Sequence, residues 1–256
     1  MAMIFDSHAH YDDGRFDSDR HELLAALPQN GVCGVLQCAT DPASSERAIA
    51  MSEQYEHIYA AVGYHPENLE GLTPDDLTLC RRLAAHPKVK AIGEIGLDYY
   101  WDSSPRPVQQ AWFIDQMRLA KELALPVVVH DRDAHEDTLR LLKQERPSGV
   151  LHAFSGSVEM AKEILDIGMY IGLGGVVTFQ NARKTVEVAA MLPLERLLLE
   201  TDAPYMTPVP FRGRRNDSTM IRFVAARIAE IRGCDVDTIL TATEQNARTL
   251  FGIERI

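Results

Sequence analysis

Two histidines, His8 and His10, close a short apolar run (3–5) that is followed by Asp6. In a β-strand, residues i and i+2 point to the same side, so both imidazoles can meet at one point where the strand gives out. Two neutral imidazoles sharing a target suit a divalent transition metal. A strand-end pair satisfied by ordinary hydrogen bonds would look the same, so the rest of the chain has to decide. Metal-capable side chains recur behind later apolar runs: Tyr64-His65-Pro66, Glu94, His130, His152 and Glu200-Thr201-Asp202. One such residue capping a strand is usually structural. Their joint occurrence is the signal.

The types also fit a two-metal centre, which needs mixed nitrogen and oxygen donors, a carboxylate able to bridge, and an open position for water. Glu94 lies midway in the series and is the natural bridge. His8, His10 and Asp202 could hold one ion, with His130 and His152 on the other. Asp6 is expected to orient a histidine ligand rather than bind metal itself.

The elements that must position these residues are short apolar, β-branched runs at 3–7, 34–38, 58–62, 89–93, 127–129, 150–152, 170–171 and 197–199. Helical patterns lie between them at 19–27, 43–54, 73–85, 108–123, 133–144, 157–167 and 182–191, with two more at 219–231 and 236–250. Asp41-Pro42 and Thr73-Pro74 are helix-start signals. Strands alternating with helices imply βαβ units and a parallel sheet. Eight strands in 256 residues predict an α/β fold, a single-domain (β/α)8 TIM barrel whose chemistry gathers at the carboxyl ends of the strands. No G-x-G-x-x-G follows the first strand, which argues against an open dinucleotide-binding sheet.

Composition narrows the function classes. Lys and Arg number 26 against 37 Asp and Glu, a net charge of −11. A protein that coats duplexes by blanket phosphate neutralisation should be basic, so an anionic substrate must be attracted locally. The four cysteines, Cys33, Cys38, Cys80 and Cys234, show no zinc-ribbon or C-x-x-C spacing and are expected to be buried, reduced thiols. With no signal-peptide core and no run of about 18 apolar residues, the expectation is a cytoplasmic protein, a monomer or weak oligomer, with no membrane contact.

The motifs DSHAH (6–10), GYHP (63–66), GEIGLDYY (93–100), LPVVVHDR (125–132), HAFSG (152–156), ETDAPY (200–205) and RGRRN (212–216) run through the whole chain. Together they closely resemble the TatD family of metal-dependent hydrolases, within the wider amidohydrolase-like barrel class. The resemblance implies a barrel with a pair of divalent ions, His8, His10, Glu94 and Asp202 on one and Glu94, His130 and His152 on the other. It also implies a nuclease, since family members act on DNA, several as 3′→5′ exonucleases preferring single strands and some on RNA. Zn, Mn, Mg or Ni would suit the donor set. Two positions depart from the family pattern: Trp101, where members often carry Arg, and Asn216-Asp217-Ser218, where many have Asn-Glu-Pro.

Roles follow for the remaining residues. Asp202 is placed to act as general base toward the attacking water. His65 is either a phosphate ligand or proton donor to the leaving group, or a Pro-adjacent turn histidine. Trp101 either stacks on a base or packs over its own loop. Arg212, Arg214 and Arg215 either contact substrate phosphates or form a solvated charge run, and Asn216 is expected to hold the loop. The alternative enzyme is a barrel hydrolase of a small-molecule amide, lactone or phosphoester. Many of those bridge their metals through a carbamylated lysine, yet Lys88 and Lys90 fall at the start of the fourth strand, and its end carries Glu94. A scaffold that had lost catalysis predicts missing ligands, whereas every expected position is filled.

Overall fold

The computed structural model describes residues 2–101 and 103–254. Its strands are β1 (Ile4–Ala9), β2 (Val32–Cys38), β3 (Ile58–Val62), β4 (Val89–Asp98), β5 (Val127–Arg132), β6 (Gly149–Leu151), β7 (Tyr170–Leu173) and β8 (Leu197–Leu199). They pair in chain order, every pair parallel. Around them run α1 (Arg20–Ala26), α2 (Pro42–Gln54), α3 (Pro74–Ala84), α4 (Arg106–Glu122), α5 (His135–Glu145), α6 (Val158–Asp166), α7 (Arg183–Met191), α8 (Ile221–Arg232) and α9 (Val236–Phe251). This is the (β/α)8 barrel that the alternation predicts. Strands covered on both faces read as continuous apolar runs, and Leu197–Leu199 is buried throughout. Helix starts follow their capping residues: the Asp41 carboxylate accepts the Ser44 N–H at 2.6 Å, with Pro42 in the first turn.

Two apolar layers result. Side chains facing the helices form the larger core, with Val35, Ile58, Ile92, Val127, Val129 and Ile171 among them. The barrel interior is filled by Phe5, Leu36, Tyr59, Ala91, Val128, Val150, Tyr170 and Leu198. Phe251 of α9 stacks on Phe5 (6.1 Å between centroids) and floors the amino-terminal end. The open end is therefore the carboxyl one. Cys38 and Cys80 are buried as expected, but Cys33 is only half-buried and Cys234 is exposed, the latter because it lies in the short turn between α8 and α9.

The seam between β8 and β1 closes beyond the end of β8, at the carboxyl rim. Asp202 N–H donates to the His8 carbonyl at 3.0 Å and His10 N–H to that of Ala203 at 2.8 Å. Asp6 is wholly buried and accepts Thr201 N–H (3.0 Å), Thr201 Oγ1–H (2.7 Å), Ser218 Oγ–H (2.7 Å) and His8 N–H (3.2 Å). Burial nonetheless pushes its carboxyl up to about 7 against these hydrogen bonds. Its hydrogen bond to His8 is to the backbone N–H, with none to a histidine ring. Asn216 holds the following loop, its amide donating to the carbonyls of Thr201 (2.9 Å) and Tyr205 (2.7 Å). Among the described residues, no helix is long and apolar enough to cross a membrane.

Candidate metal centre

Strict alternation along each strand delivers some of the candidate residues and misses others. Val128, Val150 and Leu198 face the barrel interior, so two residues on, His130, His152 and Glu200 face it as well. In β1 and β4 the phase is wrong: counting from the inward Phe5 and Ala91 puts His8 and Glu94 on the outer face. A bulge corrects each. Asp6 pairs with Val35 but Ala9 with Gln37, and Ile92 pairs with Val127 but Ile95 with Val129. One extra residue in each strand turns His8, His10, Glu94 and Asp98 inward, as bulges beside active sites do. Gly96, between Glu94 and Asp98, has φ of +148°, and a Cβ there would strike the His130 carbonyl, so only glycine fits.

The inward side chains converge. His8 Nε2 and His10 Nε2 lie 2.9 Å apart. Glu94 Oε2 is 3.3 and 3.4 Å from them, and Asp202 Oδ1 3.7 and 3.4 Å. A four-coordinate ion with donors at about 2.0–2.1 Å requires donors about 3.3–3.4 Å apart; His8, His10 and Glu94 are grouped within ligand range of one another, and Asp202 Oδ1 lies beside both histidines. The other oxygen of Glu94, Oε1, faces His130 Nδ1 at 2.9 Å, His152 Nε2 at 3.1 Å and His65 Nε2 at 3.7 Å. Glu94 therefore offers one oxygen to each of two histidine sets. His152 also comes within ligand range of His8 and Asp202, its ring stacked on His8 at 3.7 Å.

Ring tautomers test whether the donor set fits a cation. His10 Nδ1–H donates to the Cys38 carbonyl at 3.0 Å, which leaves the Nε2 lone pair facing the centre. His130 Nε2–H donates to Asp98 Oδ2 at 2.9 Å, which leaves Nδ1 facing Glu94. His152 Nδ1 lies 3.4 Å from Glu200 Oε1 but makes no hydrogen bond with it. His65 is the opposite case: its Nδ1 accepts the Glu67 N–H at 3.2 Å, so in the neutral ring Nε2 carries the proton.

The charges agree with the tautomers. Burial favours protonating Glu94 and Asp202, yet both are held below the usual carboxylate range, Glu94 by the charges of His8 and His152 and Asp202 by a hydrogen bond from His10. Burial likewise favours neutral imidazoles, but hydrogen bonds with Asp202 and Glu94 push His10 up to about 10, and those with Asp98 and Glu94 push His130 up to about 9. His65, buried and beside His130, is pulled down to about 3. Protons on His10 and His130 thus occupy places that a buried anionic pocket reserves for positive charge. The residues present fit divalent cations.

The centre opens into a cleft of about 1020 Å³, lined by His10, His65, Glu94, His130, His152 and Asp202 and, nearer its mouth, by Arg47, Trp101, Arg132 and Tyr205. The arginine cluster expected to meet substrate does not line it. Arg215 forks onto Asp19 (2.6 and 2.5 Å) and lies over Phe16. Arg212 lies 3.9 Å over Phe179, and Arg214 lies over Phe211. Of the three, Arg215 alone has an acidic partner, while Arg212 and Arg214 are exposed. Asp98 and Glu200 also adjoin the centre, touching His130 and His152. Asp98 sits at the same parity as Glu94 in a strand expected to end at 93, and Glu200 was quoted in a motif without a role. Glu200 is buried, accepts the Ala153 N–H at 2.5 Å, and has its space kept open by Gly172, whose Cβ would collide with it.

The family model described as TatD related DNase matches residues 5–252. The chain belongs to this TatD family. Among its relatives, the metal-dependent hydrolase YabD of Bacillus subtilis is 42% identical over 98% of this chain and 100% of its own length. The 3′–5′ ssDNA/RNA exonuclease TatD of Klebsiella pneumoniae is 37% identical over 98% of each chain. The crystal structure of YjjV, the TatD homologue of Escherichia coli, matches with a TM-score of 0.92 at 37% identity over 98% of each chain. TatD membership makes the chain a metal-dependent hydrolase, as its motifs imply.

Proposed function

We propose that this protein is a two-metal phosphodiesterase that shortens single-stranded nucleic acid, DNA foremost, from the 3′ end. The observation that carries the reading is Glu94, whose two oxygens each face a separate set of histidines in one open cleft. His8, His10, Glu94 and Asp202 would hold one ion, and Glu94, His130 and His152 the other, with Zn, Mn, Mg or Ni as candidates. Such ions supply charge stabilisation at the phosphate oxygens and make water acidic enough to attack near neutral pH.

The chain's own residues do the rest. Asp202, kept ionised by His10, takes the proton of the attacking water as general base. Its backbone at φ of +56°, a conformation that Asp tolerates better than most residues, sets the carboxylate facing His10. His65 presents Nε2–H toward the same centre and donates to a phosphate oxygen or to the leaving oxygen. That choice follows from its Glu67 hydrogen bond, which leaves Nε2 no lone pair for a metal. Substrate phosphates outside the centre would meet Arg132 at the mouth instead of the 212–215 cluster, Arg47 being paired with Asp12 at 3.0 Å. We place the protein in the cytoplasm as a monomer or weak oligomer; its four cysteines are free thiols.

Metal-reconstituted protein offered end-labelled single-stranded DNA and RNA beside lactone and dihydroorotate-type substrates tests the reading. Stepwise loss of nucleotides from the 3′ end is expected. Turnover confined to the small cyclic substrates would replace it with the small-molecule reading.

A further inference from the structure

The proposed chemistry leaves unused an aromatic pair at the mouth of the cleft. Tyr100 and Trp101, just past β4, are 53% and 58% exposed. Their rings meet edge to face, 4.9 Å between centroids at 89°. Arg132, from the end of β5, lays its guanidinium 3.9 Å over the Tyr100 ring and 5.5 Å from that of Trp101. With the guanidinium centred on Tyr100, Trp101 is left more than half exposed on the cleft wall. That exposure excludes a ring packed down over its own loop.

The pair is also held in register with the metal centre. Asp98 Oδ1 accepts the N–H groups of Tyr100 (2.9 Å) and Trp101 (3.0 Å), while Oδ2 accepts His130 Nε2–H at 2.9 Å. A single buried carboxylate thus fixes the loop relative to a ligand of the centre. Four strands around the barrel, the facing wall carries Tyr205 after β8, less exposed at 45%, its hydroxyl engaged by Asp13 at 3.0 Å and one face of its ring occupied by Arg15 at 4.0 Å. The Trp101 side is the one built to receive a flat π-face.

We infer that Trp101, backed by Tyr100 and Arg132, is a stacking platform for an unpaired nucleobase next to the phosphodiester held at the metal centre. The inference rests on the nuclease reading above and deepens it. Stacking is tolerant of base identity because every base has a π-face, so the platform would select for a base being present and unpaired rather than for sequence. Arg132 contributes a cation beside the ring and the neighbouring phosphate.

The test compares kcat/KM of the metal-loaded full chain on two oligodeoxynucleotides, one intact and one carrying an abasic residue at its 3′ end. Wild type should prefer the intact strand by about tenfold. In Trp101→Ala that ratio should fall to near one, and in Trp101→Phe most of it should survive, with metal content unchanged in both. A wild-type ratio near one, or equal losses on both strands in Trp101→Ala, would overturn the platform while leaving nuclease activity intact. If wild type cleaves neither strand, the nuclease reading fails and this inference with it.

Discussion

Asp98 does not face the cleft's reacting atoms, yet replacing it with Asn should weaken one half of the centre selectively. The carboxylate is 1% exposed and accepts three hydrogen bonds, from His130 Nε2–H and from the N–H groups of Tyr100 and Trp101. An amide of the same shape has one accepting oxygen. Whichever way it is turned, its NH2 group meets a donor, either His130 or the loop. Leaving a buried donor unpaired costs about 1–3 kcal/mol. Loss of a carboxylate that orients a metal-binding histidine costs about 10–100-fold in metal affinity, or about 1.4–2.7 kcal/mol. The two estimates come from different physics and agree. Isothermal titration of metal-stripped Asp98→Asn with Mn2+ should therefore show the event involving Glu94 and His130 weakened by that factor. The event involving His8 and His10 should be unchanged. Equal weakening of both, or of neither, would refute the claim that Asp98 acts through His130.

Other outcomes follow from the same geometry. His65→Ala should lower kcat by about 10²–10³-fold, the range for losing a hydrogen-bond donor to developing negative charge, with metal content by elemental analysis unchanged; loss of an ion would place His65 among the ligands. Arg215→Ala breaks a solvent-exposed pair with Asp19 and should barely move the midpoint of a denaturant melt without raising KM; a tenfold rise in KM would show that the cluster binds substrate. Metal binding should release protons, because His10 and His130 are pushed up to about 10 and 9 and so are protonated at neutral pH in the metal-free protein. A raised histidine holds its proton below the folded pKa, so metal affinity should climb with pH, less steeply above about 9, and level only past about 10. A binding heat independent of the buffer's ionisation enthalpy would contradict this.

The barrel was legible because its strands are buried on both faces and its helices announce themselves through caps such as Asp41-Pro42. His130 and His152 were legible for a related reason: β5 and β6 alternate without interruption, so their inward residues can be counted. His8 and Glu94 were nameable by type, but not their approach, since the bulges that turn them inward exist only in the register with β2 and β5. Asp98 carried a signal, its parity with Glu94, but this was lost when β4 was ended five residues early. The arginine cluster was readable only as two alternatives, because a charge run says nothing about its partner. Arg215 finds Asp19, 196 residues away in the chain.

The account stands on Glu94 joining two cation sites in a centre that cleaves phosphodiesters. The most direct measurement is a metal-titrated digest of 5′-labelled single-stranded DNA by wild type and Glu94→Ala, with bound metal counted in each. Wild type should bind two ions, require them, and shorten the strand stepwise from the 3′ end, whereas Glu94→Ala should stay folded, lose metal and leave the strand intact. Undiminished digestion by Glu94→Ala, or by wild type stripped of divalent ions, would contradict it.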